Sequence, residues 1–320
     1  MSACRLFTLD DLNRLPAPRW MIDGMFERNS LVMVAGAPGS FKSFLALDWI
    51  MNLSAGRRWL DRPTTPSKCL YILGEGRSSL LKRIHAWCRH NHVTDEDVAN
   101  LRRNFRVTFE VPQFAVQAQL QDLLNSLASE GFIPDLIVID TFARSFVGLD
   151  ENSSRDTGLW ISAAEQLRAL GYTVVFLHHT RKNTEFGVQF RGSTAISGAM
   201  DTIMTVVRDW AHPNEVEVRV TKQKDHDEGE PLHFARSIIP LETDPKGSCV
   251  LIPIDAREDD VDEAALREIV ADAGLKTLGE RGKALATKLN ISPSAGKTRI
   301  ARYLRKIDKP TSDPPPDSDS

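Results

Sequence analysis

Residues 31–52 read LVMVAGAPGSFKSFLALDWIMN, and this stretch decides the fold. The apolar run Leu31 to Ala35 predicts a buried strand, a glycine-bearing turn follows, and Lys42-Ser43 opens an apolar helix that stops at Ser54-Ala55-Gly56. Strand, loop and helix in that order form a phosphate cradle. Gly36-Ala37-Pro38-Gly39-Ser40-Phe41-Lys42-Ser43 matches the phosphate-loop pattern G-x-x-x-x-G-K-[ST] at every fixed position except Phe41. The loop N–H groups and the helix N-terminus offer positive potential, Lys42 reaches the β and γ phosphates, and the Ser43 hydroxyl ligates Mg²⁺. Without glycine's freedom at Phe41, the ring has to point away from the nucleotide. A second GKT, within Ser294-Ala295-Gly296-Lys297-Thr298, has Ser292 where the first glycine belongs and no strand before it, so it reads as helix surface.

Outward from this stretch, composition sets the class. A chain of 320 residues with 42% hydrophobic content has room for two domains and a sizeable core. No window approaches a membrane span, and MSACRLFTLDD lacks a basic-then-apolar signal, so a soluble cytoplasmic protein with no membrane partner is expected. Cys4, Cys69, Cys88 and Cys249 form no C-x-x-C pair, which indicates neither a disulfide framework nor a zinc site. A net charge of -3 argues against a uniformly basic nucleic-acid binder and leaves room for a local basic patch.

Residues 1–30 read as a lead-in packing on the core, and 31–255 as one domain. After the loop helix, Cys69 to Leu73 predicts a strand whose tip, Gly74-Glu75-Gly76, carries a carboxylate where catalysis would use one, and a helix follows over 78–92. Strand 105–109 and helix 116–129 come next. Leu136-Ile137-Val138-Ile139-Asp140 has the Walker B form, in which the aspartate positions Mg²⁺; the bland alternative is a core strand with an acidic end. Residues 141–156 read as a long polar loop with Arg144 and Arg155, and 157–170 as a helix. Val174 to Leu177 runs into His178-His179, which either sense a γ-phosphate or are loop-edge histidines with structural bonds. Residues 180–191 form a polar loop with Arg181, Lys182 and Arg191. Strands at 200–208, 215–221, 232–240 and 249–254, with a charged hairpin tip at 221–229, complete an α/β fold: a mostly parallel sheet with an antiparallel β-hairpin extension. Residues 256–308 read as a small helical, helix-turn-helix-like domain with helices at 264–273, 282–289 and 293–306, and 309–320 as a disordered tail. Lys276 to Lys309 holds ten Lys or Arg against two acidic residues. Lys297, Arg299 and Arg302 would lie on the amino-terminal half of the third helix, either contacting DNA or forming a solvated cap.

This ordered set resembles the RecA-like ATPases, most closely the hexameric helicases of the RepA type found in plasmids and phages, over 20–254. The resemblance implies a RecA-like phosphate-loop core, ATP with Mg²⁺, and a homo-oligomeric, hexameric ring on single-stranded DNA, with replication partners. It implies Glu75 as the base activating water, Asp140 as the Walker B residue with Ser43 on the metal, and His179 with His178 as the γ-phosphate sensor. Arg191-Gly192-Ser193 with Asp201-Thr202-Ile203 is similar to the segment after the DNA-binding loop of ring helicases. Lys222-Gln223-Lys224 stands where those enzymes carry K-x-R, whose arginine reaches the neighbouring subunit's ATP; here the second cation is lysine. Three functions stay open: a ring-forming DNA translocase or helicase, a recombinase-like or regulatory ATPase that does not unwind, and a DNA-binding regulator using ATP only for assembly.

Overall fold

The computed structural model describes residues 6–15, 17–150, 153–180, 194–208, 212–255, 258–289 and 293–307. The chain divides into two compact units, Met1–Ile254 and Asp255–Ser320. The first opens with a short helix, α1 (Leu9–Asn13), closed by a capping box between Thr8 and Asp11. Strands β1 (Trp20–Ile22) and β2 (Phe26–Glu27) then pair antiparallel. This ribbon buries Met21, Ile22, Met25 and Phe26 in the core, whereas Leu6, Phe7, Leu9, Leu12 and Leu15 around α1 are exposed. The ribbon's apolar side chains are thus in the core, and those around α1 are not.

Beyond the ribbon, strand and helix alternate: β3 (Leu31–Gly36), α2 (Lys42–Ala55), β4 (Cys69–Leu73), α3 (Arg77–His90), α4 (Asp95–Asn104), β5 (Phe105–Thr108), α5 (Gln117–Ser129), β6 (Leu136–Asp140), α6 (Phe142–Ser145), α7 (Ser154–Ala169), β7 (Thr173–His179) and α8 (Thr194–Ala199). Then come β8 (Thr202–Arg208), β9 (Glu215–Gln223), β10 (Leu232–Leu241) and β11 (Asp244–Ile254). One nine-stranded sheet results, in the order β11-β10-β9-β8-β3-β7-β6-β4-β5. Its pairs from β8 to β5 are parallel and those from β8 to β11 antiparallel. This is the α/β architecture expected. All residues of β3, β4 and β6 are buried because helices cover both sheet faces, which is why these strands read as unbroken apolar runs.

The pleat sorts the side chains into two cores. Val32, Val34, Tyr71, Leu73, Val175 and Leu177 face α2, while Leu31, Met33, Ala35, Ile137, Ile139 and Phe176 face α7. Two segments differ from expectation. Residues 141–156 are not one long polar loop, because Phe142 and Phe146 are buried against Trp160, with ring centroids at 4.7 and 6.1 Å, and pull α6 into the core. The polar α4, with no fully buried residue, rests on its Thr94–Asp97 capping box and gave no apolar period to read.

Inside the α2-facing core, Asp48 accepts hydrogen bonds from Trp59 Nε1 (2.7 Å), Trp87 Nε1 (2.6 Å) and Asn52 Nδ2 (3.0 Å). Burial pushes its carboxyl above the usual range, and these donors work against that rise. Asp48→Ala leaves two indole N–H groups without this acceptor. The expected loss is about 3 kcal/mol or more, seen as a clearly lower thermal midpoint; an unchanged midpoint would refute the role given to the cage.

The second unit consists of α9 (Glu258–Ala271), α10 (Leu278–Lys288) and α11 (Pro293–Ile307) around Ala265, Leu266, Ile269, Leu285 and Ile300. Here α10 and α11 meet so closely that a Cβ on Gly296 would lie 2.2 Å from the Gly282 carbonyl oxygen. The glycine of the second GKT is therefore a helix-contact residue. The tail at 309–320 lies outside the described residues.

Candidate active site

Lys42, Ser43, Glu75, Asp140 and His179 come from four elements whose ends share one edge of the sheet. Parallel register aligns them, with Gly36 opposite His179, Leu73 opposite Asp140, and Asp140 opposite Leu177. Gly36 admits no side chain, since a Cβ there would stand 2.3 Å from the Val206 carbonyl oxygen and 2.7 Å from Ser40 Oγ. From it the loop Ala37-Pro38-Gly39-Ser40 climbs to Phe41, the N-cap of α2. Phe41 keeps the left-handed backbone that glycine would favour, at φ 66° and ψ 17°, a conformation costing a side-chain-bearing residue about 1 kcal/mol. Its ring lies against Phe44, at 6.2 Å, and the guanidinium carbons of Arg208 and Arg236 stand 5.4 and 5.7 Å from its centroid.

Lys42 Nζ donates to the carbonyls of Gly36 (2.8 Å) and Ala37 (2.9 Å) and to Ser40 Oγ (3.4 Å). Burial lowers its pKa to about 8, against the pull of Asp140. Asp140 is itself buried and accepts a 2.7 Å hydrogen bond from the Tyr71 hydroxyl, which the Ser43 side chain also reaches. Burial, with the nearby Asp140 charge, raises the Tyr71 pKa well above the usual phenol value and keeps it a neutral donor. Glu75, past the end of β4, is half-exposed and pairs with Arg144 Nε at 3.5 Å. His179 is held below the usual imidazole range by burial and by Lys42, while Glu75 and Asp140 oppose the shift. His179 thus lies within electrostatic reach of Lys42, Glu75 and Asp140.

Other expected residues lie elsewhere. His178 does not join His179, because consecutive strand residues face opposite sides of the sheet; it is buried 4.9 Å from the Phe142 ring, edge to face. Lys222 and Lys224 sit at the opposite end of the sheet, where Gln223 pairs with Thr202 and Thr202 with Val32. Both have partners within the chain: Lys222 Nζ donates to the carbonyls of Ser197, Gly198 and Met200, at 2.9, 3.1 and 2.6 Å, and Lys224 Nζ is 3.4 Å from Asp201 Oδ1. Arg181, Lys182 and Arg191 lie outside the described residues. Lys297 is exposed and Arg299 half-buried on α11; the Arg302 side chain is not among those described.

The family model for the AAA domain matches residues 3–185. The chain belongs to the AAA domain family. This match spans the phosphate loop, Glu75, Asp140 and His179, and supports a phosphate-loop ATPase. Among solved structures, the KaiC-like protein PH0186 from Pyrococcus horikoshii OT3 is similar at 14% identity and a TM-score of 0.45, covering 73% of this chain and 94% of that one. No curated protein matches.

The AAA domain has the donors its nucleotide needs. A buried ammonium and the loop amides suit a polyphosphate. Ser43 and Asp140 are the oxygen donors that would hold a Mg²⁺, which would supply charge neutralisation beside the phosphates. Among the described residues no group of three or more His, Cys, Asp or Glu is placed to hold a metal, and no helix is long and apolar enough to cross a membrane. Tyr71, Arg144, Arg208 and Arg236 are site neighbours to which sequence reading gave no role here. Tyr71 had a signal: one hydroxyl in an otherwise apolar strand.

The lowered Lys42 pKa has a measurable sign. A bound phosphate favours the ammonium, so nucleotide binding takes up a proton wherever the free lysine has lost one. ADP affinity is expected to be level from pH 7.5 to 8 and then fall with rising pH, at most tenfold per unit. Titration calorimetry checks this, and Lys42→Arg, whose guanidinium stays charged, should flatten the profile. A flat parental profile to pH 9.5 would contradict the shift.

Proposed function

We propose that the chain is a ring-forming, DNA-stimulated ATPase of the RepA type that translocates on or unwinds DNA, in the cytoplasm, in plasmid or phage replication. One observation carries the reading. Lys42, Ser43, Glu75, Asp140 and His179 gather at one end of the sheet, while Lys224 stands at the other, which supports a role for it on a neighbour's phosphates rather than on its own. An arrangement completed by the next copy closes naturally into a ring, with six subunits the expected number.

In this reading Lys42 and the loop amides bind the phosphates, and Glu75 takes the proton of the attacking water. His179, kept neutral, offers a hydrogen bond toward the γ-phosphate. Mg²⁺ on Ser43 and Asp140 supplies charge neutralisation at the phosphates. Arg181, Lys182 and Arg191 are the proposed contacts to single-stranded DNA in the channel. Lys297, Arg299 and Arg302 on α11 are proposed to hold DNA as a helix-turn-helix-like module.

ATP hydrolysis measured with and without single-stranded DNA, beside strand displacement of a tailed duplex, tests the proposal. Stimulated hydrolysis with displacement is expected. Stimulation without displacement would favour the non-unwinding ATPase, and absence of hydrolysis would leave only the regulator.

A further inference from the structure

The phosphate loop does not stand alone at the first turn of α2. Arg208, ending β8, places its guanidinium carbon 5.4 Å from the Phe41 ring centroid, and its Nε donates to the Pro213 carbonyl at 2.7 Å. Its Nη1 lies 4.0 Å from where a Cβ on Gly39 would sit, against the flank of the loop. Arg236, on β10, stands 5.7 Å from the same ring, with Nη2 donating to Asn214 Oδ1 at 2.6 Å. Its Nε is buried without a hydrogen-bond partner among the described residues.

The order of the strands says which end of a nucleotide would meet this cluster. Glu75, Asp140 and His179 follow β4, β6 and β7, all on one side of β3. They define the terminal-phosphate end. Lys42 and Ser43 open α2, which follows β3 through the loop, and hold the middle of the polyphosphate. A nucleotide is a linear chain, so its nucleoside end must leave on the other side, over β8, β9 and β10. Arg208 and Arg236 are there. A guanidinium is planar and stacks on aromatic faces, a purine base included, and a ring in contact with it fixes the plane in advance.

We propose that Phe41, Arg208 and Arg236 form the nucleoside-binding half of the ATP site, the arginines contacting the base and ribose and Phe41 acting as the positioning residue that orients them. This rests on the reading of the phosphate loop as an ATP site and adds the part that holds the other end. It also gives a reason for Phe41. The position keeps glycine's backbone and gains a ring that glycine cannot supply.

The test is titration of the full-length protein with ADP and, separately, with inorganic tripolyphosphate, which has the phosphates and no nucleoside. Arg208→Ala and Arg236→Ala are expected to weaken ADP binding by about tenfold while leaving tripolyphosphate within twofold. Phe41→Gly should weaken ADP about fivefold although it relaxes the backbone, and Phe41→Trp should restore it. Unchanged ADP affinity in Arg208→Ala, Arg236→Ala and Phe41→Gly would overturn the inference, as would equal losses for ADP and tripolyphosphate, which would put the arginines on phosphate. Failure of the unsubstituted protein to bind either ligand would overturn the phosphate-site reading itself, a result seen before any variant is measured.

Discussion

Glu75→Gln is expected to bind ATP with parental affinity and to turn it over at least about 10²-fold more slowly, the scale of a lost general base. Glu75 sits past the last residue of β4, beside Gly74, where a Cβ would already touch Val111 Cγ2 at 2.9 Å and Arg144 Cγ at 3.0 Å. The backbone there is tightly placed, and the side chain leaves it half-exposed with Arg144 as partner. Glutamine keeps the length and one carbonyl oxygen for Arg144 but cannot take a proton from water. Surface pairs of this kind contribute little to stability, so the folded protein should be unaffected. Nucleotide titration beside steady-state hydrolysis separates the two effects. A parental rate in Glu75→Gln would remove the residue from the mechanism.

Lys224→Ala carries the other large expectation. A cation delivered from a neighbour to a transferring phosphate accelerates transfer by 10³ or more in the general case. Lys224 is exposed and tied only loosely, at 3.4 Å, to Asp201, unlike Lys222, whose ammonium is committed to three carbonyls at the end of α8. The contrast leaves the Lys224 ammonium the less committed of the pair. A pure Lys224→Ala preparation should lose about 10³-fold in hydrolysis, and Lys42→Ala should be inactive for a different reason. Mixed together, the two should recover activity at interfaces that combine an intact Lys42 with an intact Lys224. Mixtures as inactive as their components, or a monomer by light scattering with ATP and DNA present, would end the trans assignment.

What could be read from the chain follows from how each feature is encoded. The phosphate loop and the strand ending in Asp140 are contiguous, so their residue types and spacing state the chemistry directly. Tyr71 reaches Asp140, and Arg208 and Arg236 reach the Phe41 ring, from separate strands that only the sheet order brings together. His178 and His179 look like a pair in one dimension, and the pleat divides them. Phe142 and Phe146 were hidden in a polar-looking stretch because burial of two rings outweighs the polarity of their neighbours. Lys222 looked like a second free cation until α8 supplied carbonyls for it.

Six buried residues make β3, flanked by parallel partners on both sides, with Gly36 at one end. At the other end Leu31 N donates to Asp201 Oδ2 and Leu31 O accepts from Asp201 N, both at 2.9 Å, and Asp201 also holds Lys224. Such a strand, about 20 Å long, has no slack, since a close-packed interior hardly compresses. The joint at Asp201 ties the far end of that strand to Lys224, through the ion pair and through Lys224 N donating to the Asp201 carbonyl at 3.1 Å, and to Arg168, whose Nη1 stands 4.0 Å from Asp201 Oδ2. If Lys224 serves a neighbouring copy as proposed, a single strand separates the phosphate loop from the residue that holds that lysine.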